Sequence, residues 1–305
     1  VAKAVTKLVP LVLLAVVMVS TLTGCSKTES KEPSAESSAD VAAEDIEVHP
    51  FVAELTEELR RETVIWDLDT ASVEHPDNWN PFLPESRREK GFHQAMIEPL
   101  FILNYETGVI EPWLATKMTA NDTMDVWTLT LREGVQWSDG EPFNADDVVF
   151  TIQAMMDEPG LDAHFGVTKW IKAFEKVDNL TVRFTLTGPN PRFQADYFAI
   201  KFWGGFPIIP EHIWGPQTDR LAFKNYDPEQ GWPVFTGPYR VERISETAFV
   251  YVRNDDWWGA KSGFRPLPKP KRLMWVSHST EAERIAMAAD NHLDSLGDIT
   301  LQGFQ

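Results

Sequence analysis

The chain has 305 residues, a single cysteine and a formal net charge of −18 at pH 7. One cysteine excludes a disulfide framework and a cysteine-built zinc site, so stability has to come from a packed core, for which this length is ample in one or two domains. So large a negative charge argues against nucleic acid and anionic lipid headgroups as partners.

At the N-terminus Lys3 and Lys7 precede an apolar stretch, Leu8 to Val19, interrupted by Pro10, and small residues lead into Leu22-Thr23-Gly24-Cys25. This is the layout of a secretory signal peptide over residues 1–25, and its apolar part is short for a permanent bilayer-spanning helix, which takes about 20 residues. The Leu-x-Gly-Cys pattern resembles the lipobox of bacterial lipoproteins. That resemblance implies that the thiol of Cys25 carries a diacylglycerol and becomes the new N-terminus after cleavage. Two acyl chains suffice for stable anchoring, at about 0.8 kcal/mol per buried methylene. The plainer alternative is a general secretory signal with an incidental cysteine. Residues 26–62 then hold eleven Asp or Glu against four Lys or Arg. With so few large apolar groups, residues 26–60 read as an acidic, disordered tether.

Order is expected from residue 61. Thr63 to Leu68 is a short apolar run with β-branched residues, the pattern of a buried strand. A loop punctuated by His75-Pro76, Asn80-Pro81 and Leu83-Pro84 follows. Trp127, Leu129 and Leu131 alternate with Val126, Thr128, Thr130 and Arg132, which predicts a half-buried strand. Turn signals at Glu133-Gly134 and Ser138-Asp139-Gly140 flank a second short strand, Val135-Gln136-Trp137. Asn144 caps a helix, with Asp147 as a short-armed capping-box partner, and Val148, Val149, Ile152, Met155 and Met156 fall on one face. That helix stops before Pro159-Gly160. Leu180, Val182, Phe184 and Leu186 alternate in another strand, and further strands are expected at Ala248 to Arg253 and Leu273 to Val276. A last helix starts at Ser279 or Thr280, with Glu283 placed for a capping box and Ile285, Ala286 and Ala289 inward. Strands and helices interspersed with long loops define a mixed α/β class without repeats.

Several of these residues, in this order, resemble the N-terminal part of the family 5 extracellular solute-binding proteins, the oligopeptide- and dipeptide-binding components of ABC importers. The resemblance runs through Glu98-Pro99-Leu100, Glu111-Pro112-Trp113-Leu114-Ala115 and the long block from Trp127 to Val148. It continues through Thr236-Gly237-Pro238-Tyr239, Asn254-Asp255-Asp256-Trp257-Trp258-Gly259 and Asp290-Asn291-His292-Leu293-Asp294, covering roughly residues 61–300. Phe235 stands where the family has a glycine, and so does Asn291, a residue that tolerates positive φ. The resemblance implies a periplasmic-binding-protein-like class II (cluster C) two-lobe fold, with residues 61–305 as its N-terminal portion and an inserted subdomain at about 85–205. Family members continue into a ligand-closing lobe and then return. Here the chain starts with Val1 and stops at Gln305 within the pattern, so the fold is expected to be truncated before the C-terminal lobe.

No catalytic constellation stands out. There is no His-Glu-x-x-His, no Gly-x-Ser-x-Gly and no Gly-Lys dipeptide for a phosphate loop, and no two histidines stand at metal-ligand spacing on a helix, so neither metal nor cofactor is expected. Asp67 with Asp69, Asp146-Asp147 and Asp255-Asp256 are carboxylate pairs of the sort a glycosidase uses, and they keep a surface hydrolase open as the alternative of another class. Twelve tryptophans are present. Trp127, Trp137 and Trp275 fall on strands and are expected in the core, whereas Trp79, Trp203, Trp232, Trp257 and Trp258 sit in loops, where an indole could stack on a sugar or pack a peptide side chain. The segment Asp77 to Phe82 borders the family's cleft, which makes Trp79, Asn80 and Phe82 the leading ligand-facing candidates, with Trp203 as a second contact. The resemblance implies a substrate-binding lipoprotein outside the cytoplasmic membrane that captures oligopeptides and delivers them to ABC permease subunits. An oligosaccharide binder of the same family is the alternative reading, and a product that binds nothing is a further one.

Overall fold

The computed structural model describes residues 48–68, 70–83, 91–199, 207–278, 280–297 and 299–300. The chain divides into units 1–41 and 42–305, and every described residue belongs to the second. The signal peptide, Cys25 and most of the proposed tether lie outside the described residues. Two short helices open the ordered part, α1 (Pro50–Ala53) and α2 (Glu57–Arg61), followed by strand β1 (Thr63–Asp67) and helix α3 (Phe92–Ala95). A hairpin of β2 (Phe101–Leu103) and β3 (Ile110–Pro112) leads to β4 (Ala115–Ala120) and β5 (Val126–Leu131). Helices α4 (Ala145–Asp157) and α5 (His164–Trp170) precede β6 (Ile171–Asp178) and β7 (Thr181–Leu186). After α6 (Glu211–Trp214) come β8 (Tyr239–Ile244), β9 (Ala248–Arg253), α7 (Trp258–Lys261), β10 (Arg272–Val276) and α8 (Glu281–Ala289).

Two four-stranded sheets organise these elements. The first has the order β1-β10-β9-β8, with β1 and β10 parallel and the rest antiparallel. Its inner strands, β10 and β9, bury both faces. Ile65, Val250, Met274 and Val276 pack on one side with Val52, Met287 and Leu293. Phe249, Tyr251, Leu273 and Trp275 pack on the other with Trp79, Phe92, Met96 and Phe235. The second sheet, order β4-β5-β7-β6, is antiparallel throughout. One face only is dry: Trp127, Leu129, Leu131, Val182, Phe184 and Leu186 meet Val148, Ile152 and Met155 of α4. Transfer of a Leu or Phe side chain from water into such a core contributes about 2 kcal/mol.

Local signals explain where the helices begin. Asn144 accepts from the backbone N–H of Asp146 at 2.7 Å, and Asp147 reaches back to the N–H of Asn144 at 3.0 Å, the reciprocal capping box. Thr280 and Glu283 repeat the arrangement at α8. Asn291 ends α8 in the left-handed region with φ of 61°, as its replacement of a turn glycine requires.

Three expectations change. The helix α8 turns Met287 and not Ala289 into the core, because Leu293 and Leu296 close the same side. Residues 135–137 form no strand; Gln136 makes a single bridge to Pro142 inside a tight turn. Order also starts earlier than residue 61, since Phe51, Val52 and Leu55 cover an apolar face of the first sheet and so fix residues that composition assigned to the tether. Among the described residues no helix is long and apolar enough to cross a membrane.

Candidate functional site

The leading ligand-facing candidates, Trp79, Asn80 and Phe82, are buried in this structure. Trp79 is 0% exposed, with its ring edge-on to Phe92 at 5.0 Å, Tyr251 at 6.0 Å and Phe249 at 6.1 Å. Asn80 donates from Nδ2 to the carbonyls of Arg220 at 2.8 Å and Phe223 at 3.1 Å, and its Oδ1 accepts from the backbone N–H of Phe82 at 3.1 Å. Phe82 packs edge-on to Trp214 at 6.0 Å. An indole hides a large apolar area only by going under the loop, and a buried amide must be matched by backbone groups. The segment therefore pins the loop after β1 to residues 220–225, assisted by the ion pair of Lys224 with Asp77. Trp203 lies outside the described residues.

The polar centre that sequence reading missed is Glu98, between α3 and β2 and only 6% exposed. Its Oε1 accepts from Trp113 Nε1 at 2.8 Å, and its Oε2 accepts from Trp258 Nε1 at 2.8 Å and Trp257 Nε1 at 3.5 Å. Trp257 Nε1 also reaches the carbonyl of Thr236 at 3.0 Å. Indole N–H groups are donors only, so one carboxylate satisfies Trp113 and Trp258, which would otherwise carry orphan donors, and shares the Trp257 N–H with the Thr236 carbonyl. The pin joins the link between β3 and β4 to the turn after β9, across 159 and 160 residues of sequence from Glu98 to the two latter indoles. A groove of about 440 Å³ runs beside it, lined among others by Ile97, Ile102, Pro238 and Arg265. The Arg265 guanidinium sits 5.3 Å from the Trp113 ring centre.

A second polar cluster lies at the carboxyl ends of the parallel pair β1 and β10, the edge at which open α/β sheets gather ligands. Asp67 closes β1 and accepts from Arg284 Nη1 at 2.6 Å and from the backbone N–H of Gly297 at 2.8 Å. Its side chain is 3% exposed. Asp294 extends the clasp: its Oδ2 accepts from Ile65 N at 2.8 Å, its own N–H donates to the Ile65 carbonyl at 2.8 Å, and Arg60 forks onto both of its oxygens. These bonds hold residues 294–297 along the outer edge of β1. Next to the clasp is a cavity of about 290 Å³ lined by His49, Thr247, Ser277, His278 and Glu283 among others. Burial pushes the His278 imidazole below its ordinary value; Asp67 and Glu283 oppose this, while His49 and Arg284 add to it.

The carboxylate pairs have structural work. Asp147 accepts from Trp137 Nε1 at 3.2 Å and from the N–H groups of Asn144 and Glu211, and burial outweighs those bonds to push its carboxyl above the usual range. Asp146 pairs with Lys176, Asp255 with Arg253 and Asp256 with Lys261. Asp69 lies outside the described residues. Among the described residues no group of three or more His, Cys, Asp or Glu could hold a metal ion.

In fold the chain is similar to solved binding proteins of ABC transporters. A periplasmic oligopeptide-binding protein of an oligopeptide ABC transporter from Thermotoga maritima, solved with mannohexaose bound, matches with a TM-score of 0.68 and 32% identity over 79% of this chain and 42% of that one. Among curated proteins, the dipeptide-binding protein of Escherichia coli (strain K12) is 30% identical over 61% of this chain and 37% of its own. The nickel-binding periplasmic protein of the same organism is 25% identical over 65% of this chain and 36% of its own. The family model "Bacterial extracellular solute-binding proteins, family 5 Middle" matches residues 109–305, and the chain belongs to that family. It spans about a third of the length of these curated relatives.

Proposed function

We propose that this chain is the first part of a solute-binding lipoprotein of an ABC importer, held outside the cytoplasmic membrane through Cys25, that captures oligopeptides and presents them to permease subunits. The observation that carries this reading is the family match over residues 109–305. The described residues supply a frame suited to that role, with two sheets bolted together by the Glu98 pin and a polar clasp at the carboxyl edge of the parallel strands. Capture by a two-lobed receptor needs no bond making. A solute that binds the closed form more tightly than the open one shifts that equilibrium by the difference in affinity.

A second reading has a specific observation behind it. The Thermotoga maritima protein similar to this chain at 32% identity was solved with mannohexaose bound, which favours an oligosaccharide as the solute. Intrinsic tryptophan fluorescence of the complete protein, titrated with tri- to hexapeptides and separately with manno- and cello-oligosaccharides, decides between them. Saturable binding of peptides alone supports the first reading. Binding of oligosaccharides alone replaces it with the second, and binding of neither overturns both. For the anchor, mass spectrometry of the protein extracted from membranes is expected to find a diacylglyceryl adduct on Cys25, and a C25S variant is expected in the soluble fraction.

A further inference from the structure

His49 is tied to the folded body in a way that only a neutral imidazole permits. Its Nδ1 accepts the backbone N–H of Phe51 at 3.2 Å, capping α1, which leaves Nε2 as the nitrogen that carries the proton and donates to Thr247 Oγ1 at 3.0 Å. A proton added to Nδ1 would set one donor against another and break the cap. Thr247 stands in the turn between β8 and β9, 198 residues away in sequence. Across the same cavity of about 290 Å³ stands His278, whose Nε2 is shielded from solvent and has no hydrogen-bond partner among the described residues. A charge there would be both desolvated and unpaired.

We propose that His49 and His278 form a proton-operated latch that holds residues 48–55 against the first sheet at neutral pH and releases them in mildly acidic medium.

The charged groups around the latch come from every element packed against it. Arg243 of β8 and Glu54 at the end of α1 face His49, while Asp67 of β1 and Glu283 and Arg284 of α8 face His278. Most are already committed: Arg243 pairs with Glu54 at 2.8 Å and covers the Phe51 ring at 3.6 Å, and Arg284 pairs with Asp67 at 2.6 Å. Glu283 reaches back to the N–H of Thr280. Added imidazolium charge would therefore meet another imidazolium in a cavity whose carboxylates have partners.

Burial is the main cause that lowers both imidazoles from their ordinary 6.5. The docked form thus binds fewer protons than the released form. Docking strength is level above pH 6.5 and, below it, falls by up to about tenfold per pH unit for each histidine until the docked pKa is passed. Release would uncover Val52 and the face made by Ile65, Val250 and Met274, and would lengthen the link to the preceding chain by up to about 25 Å.

Hydrogen exchange on the whole chain at pH 7.5 and 5.5, with rates divided by the intrinsic chemical rate, tests the latch. Protection of residues 51–55 is expected to fall at the lower pH, by up to about tenfold for each histidine, while that of α4 stays level. In a His49→Asn, His278→Gln double variant, in which Asn can still cap α1, the fall is expected to be less than twofold. Thr247→Val is expected to lower protection at both pH values while keeping the wild-type ratio. Equal protection of residues 51–55 at both pH values in the wild type, parallel loss in α4, or an undiminished fall in the double variant would each overturn the proposal.

Discussion

The two sheets obey different rules. In the sheet of β4, β5, β7 and β6 every pair is antiparallel and one face stays wet, so β5 alternates between buried and half-buried residues along its whole length. In the sheet of β1, β10, β9 and β8 both faces are covered, and β10 runs Leu273, Met274, Trp275 and Val276 without an exposed position. A parallel pair brings crossover segments over its faces, and that cover converts alternation into an unbroken apolar run. Strand pattern thus reports the number of covered faces. It also foretells where substitutions should hurt.

The largest effect is expected under the doubly covered sheet. Trp79→Ala should lower stability by about 3–5 kcal/mol, because the cavity left among Phe92, Phe249 and Tyr251 has rigid walls. Denaturant midpoints measure this. Should W79A instead weaken solute binding with stability intact, the burial account of this loop fails. Next comes the pin between the regions: Glu98→Ala leaves the Trp113 and Trp258 indoles without their acceptor, while Trp257 keeps the Thr236 carbonyl, and should cost about 2–4 kcal/mol, with Glu98→Gln costing roughly half. Chemical denaturation followed by tryptophan emission reads both loss and change of environment.

On the singly covered sheet, Asp147→Ala should cost about 2 kcal/mol, since the helix cap, the Glu211 N–H and the Trp137 indole lose one acceptor together. The Asp147 carboxyl is raised in the fold above its ordinary 3.8. Its titration therefore stabilises at low pH and loses that contribution as pH rises through the raised value. The stability difference between wild type and D147N should accordingly shrink from pH 3.5 to 7, as read by thermal melts across that range. The smallest effect belongs to the wet face, where Arg183→Ala breaks a half-exposed pair with Glu175 and should shift stability by about 0.5 kcal/mol or less. A larger loss there would mean that this face is covered in the complete protein.

Much of the frame was legible. β1, β5, β7, β9 and β10 lie where their apolar patterns put them, both capping boxes formed, and Trp127, Trp137 and Trp275 are buried. β6 escaped notice because it is an exposed edge strand, with one buried residue in eight, and such a strand lacks the apolar rhythm that announces its kind. β4, with two buried residues in six, gives as faint a signal. The site was harder. Asn-Trp-Asn-Pro-Phe reads alike whether its aromatic rings meet a solute or a core, and only the packing of Phe92, Tyr251 and Trp214 against them shows that they face inward. Glu98 was visible as part of a motif, yet nothing nearby in the chain says that Trp113, Trp257 and Trp258 converge on it.

What the amino-acid order determined on its own was local: turns at Gly134 and Gly140, caps at Asn144 and Thr280, a left-handed Asn291, and the strands whose side chains alternate. These follow from sterics and hydrogen bonds within a few residues of chain. Which carboxylate gathers the indoles and which loop closes over Trp79 depended on partners more than a hundred residues distant. Such choices belong to the tertiary structure, because a buried polar atom takes whichever partner the packed core brings within about 3 Å, and no local pattern encodes that distance.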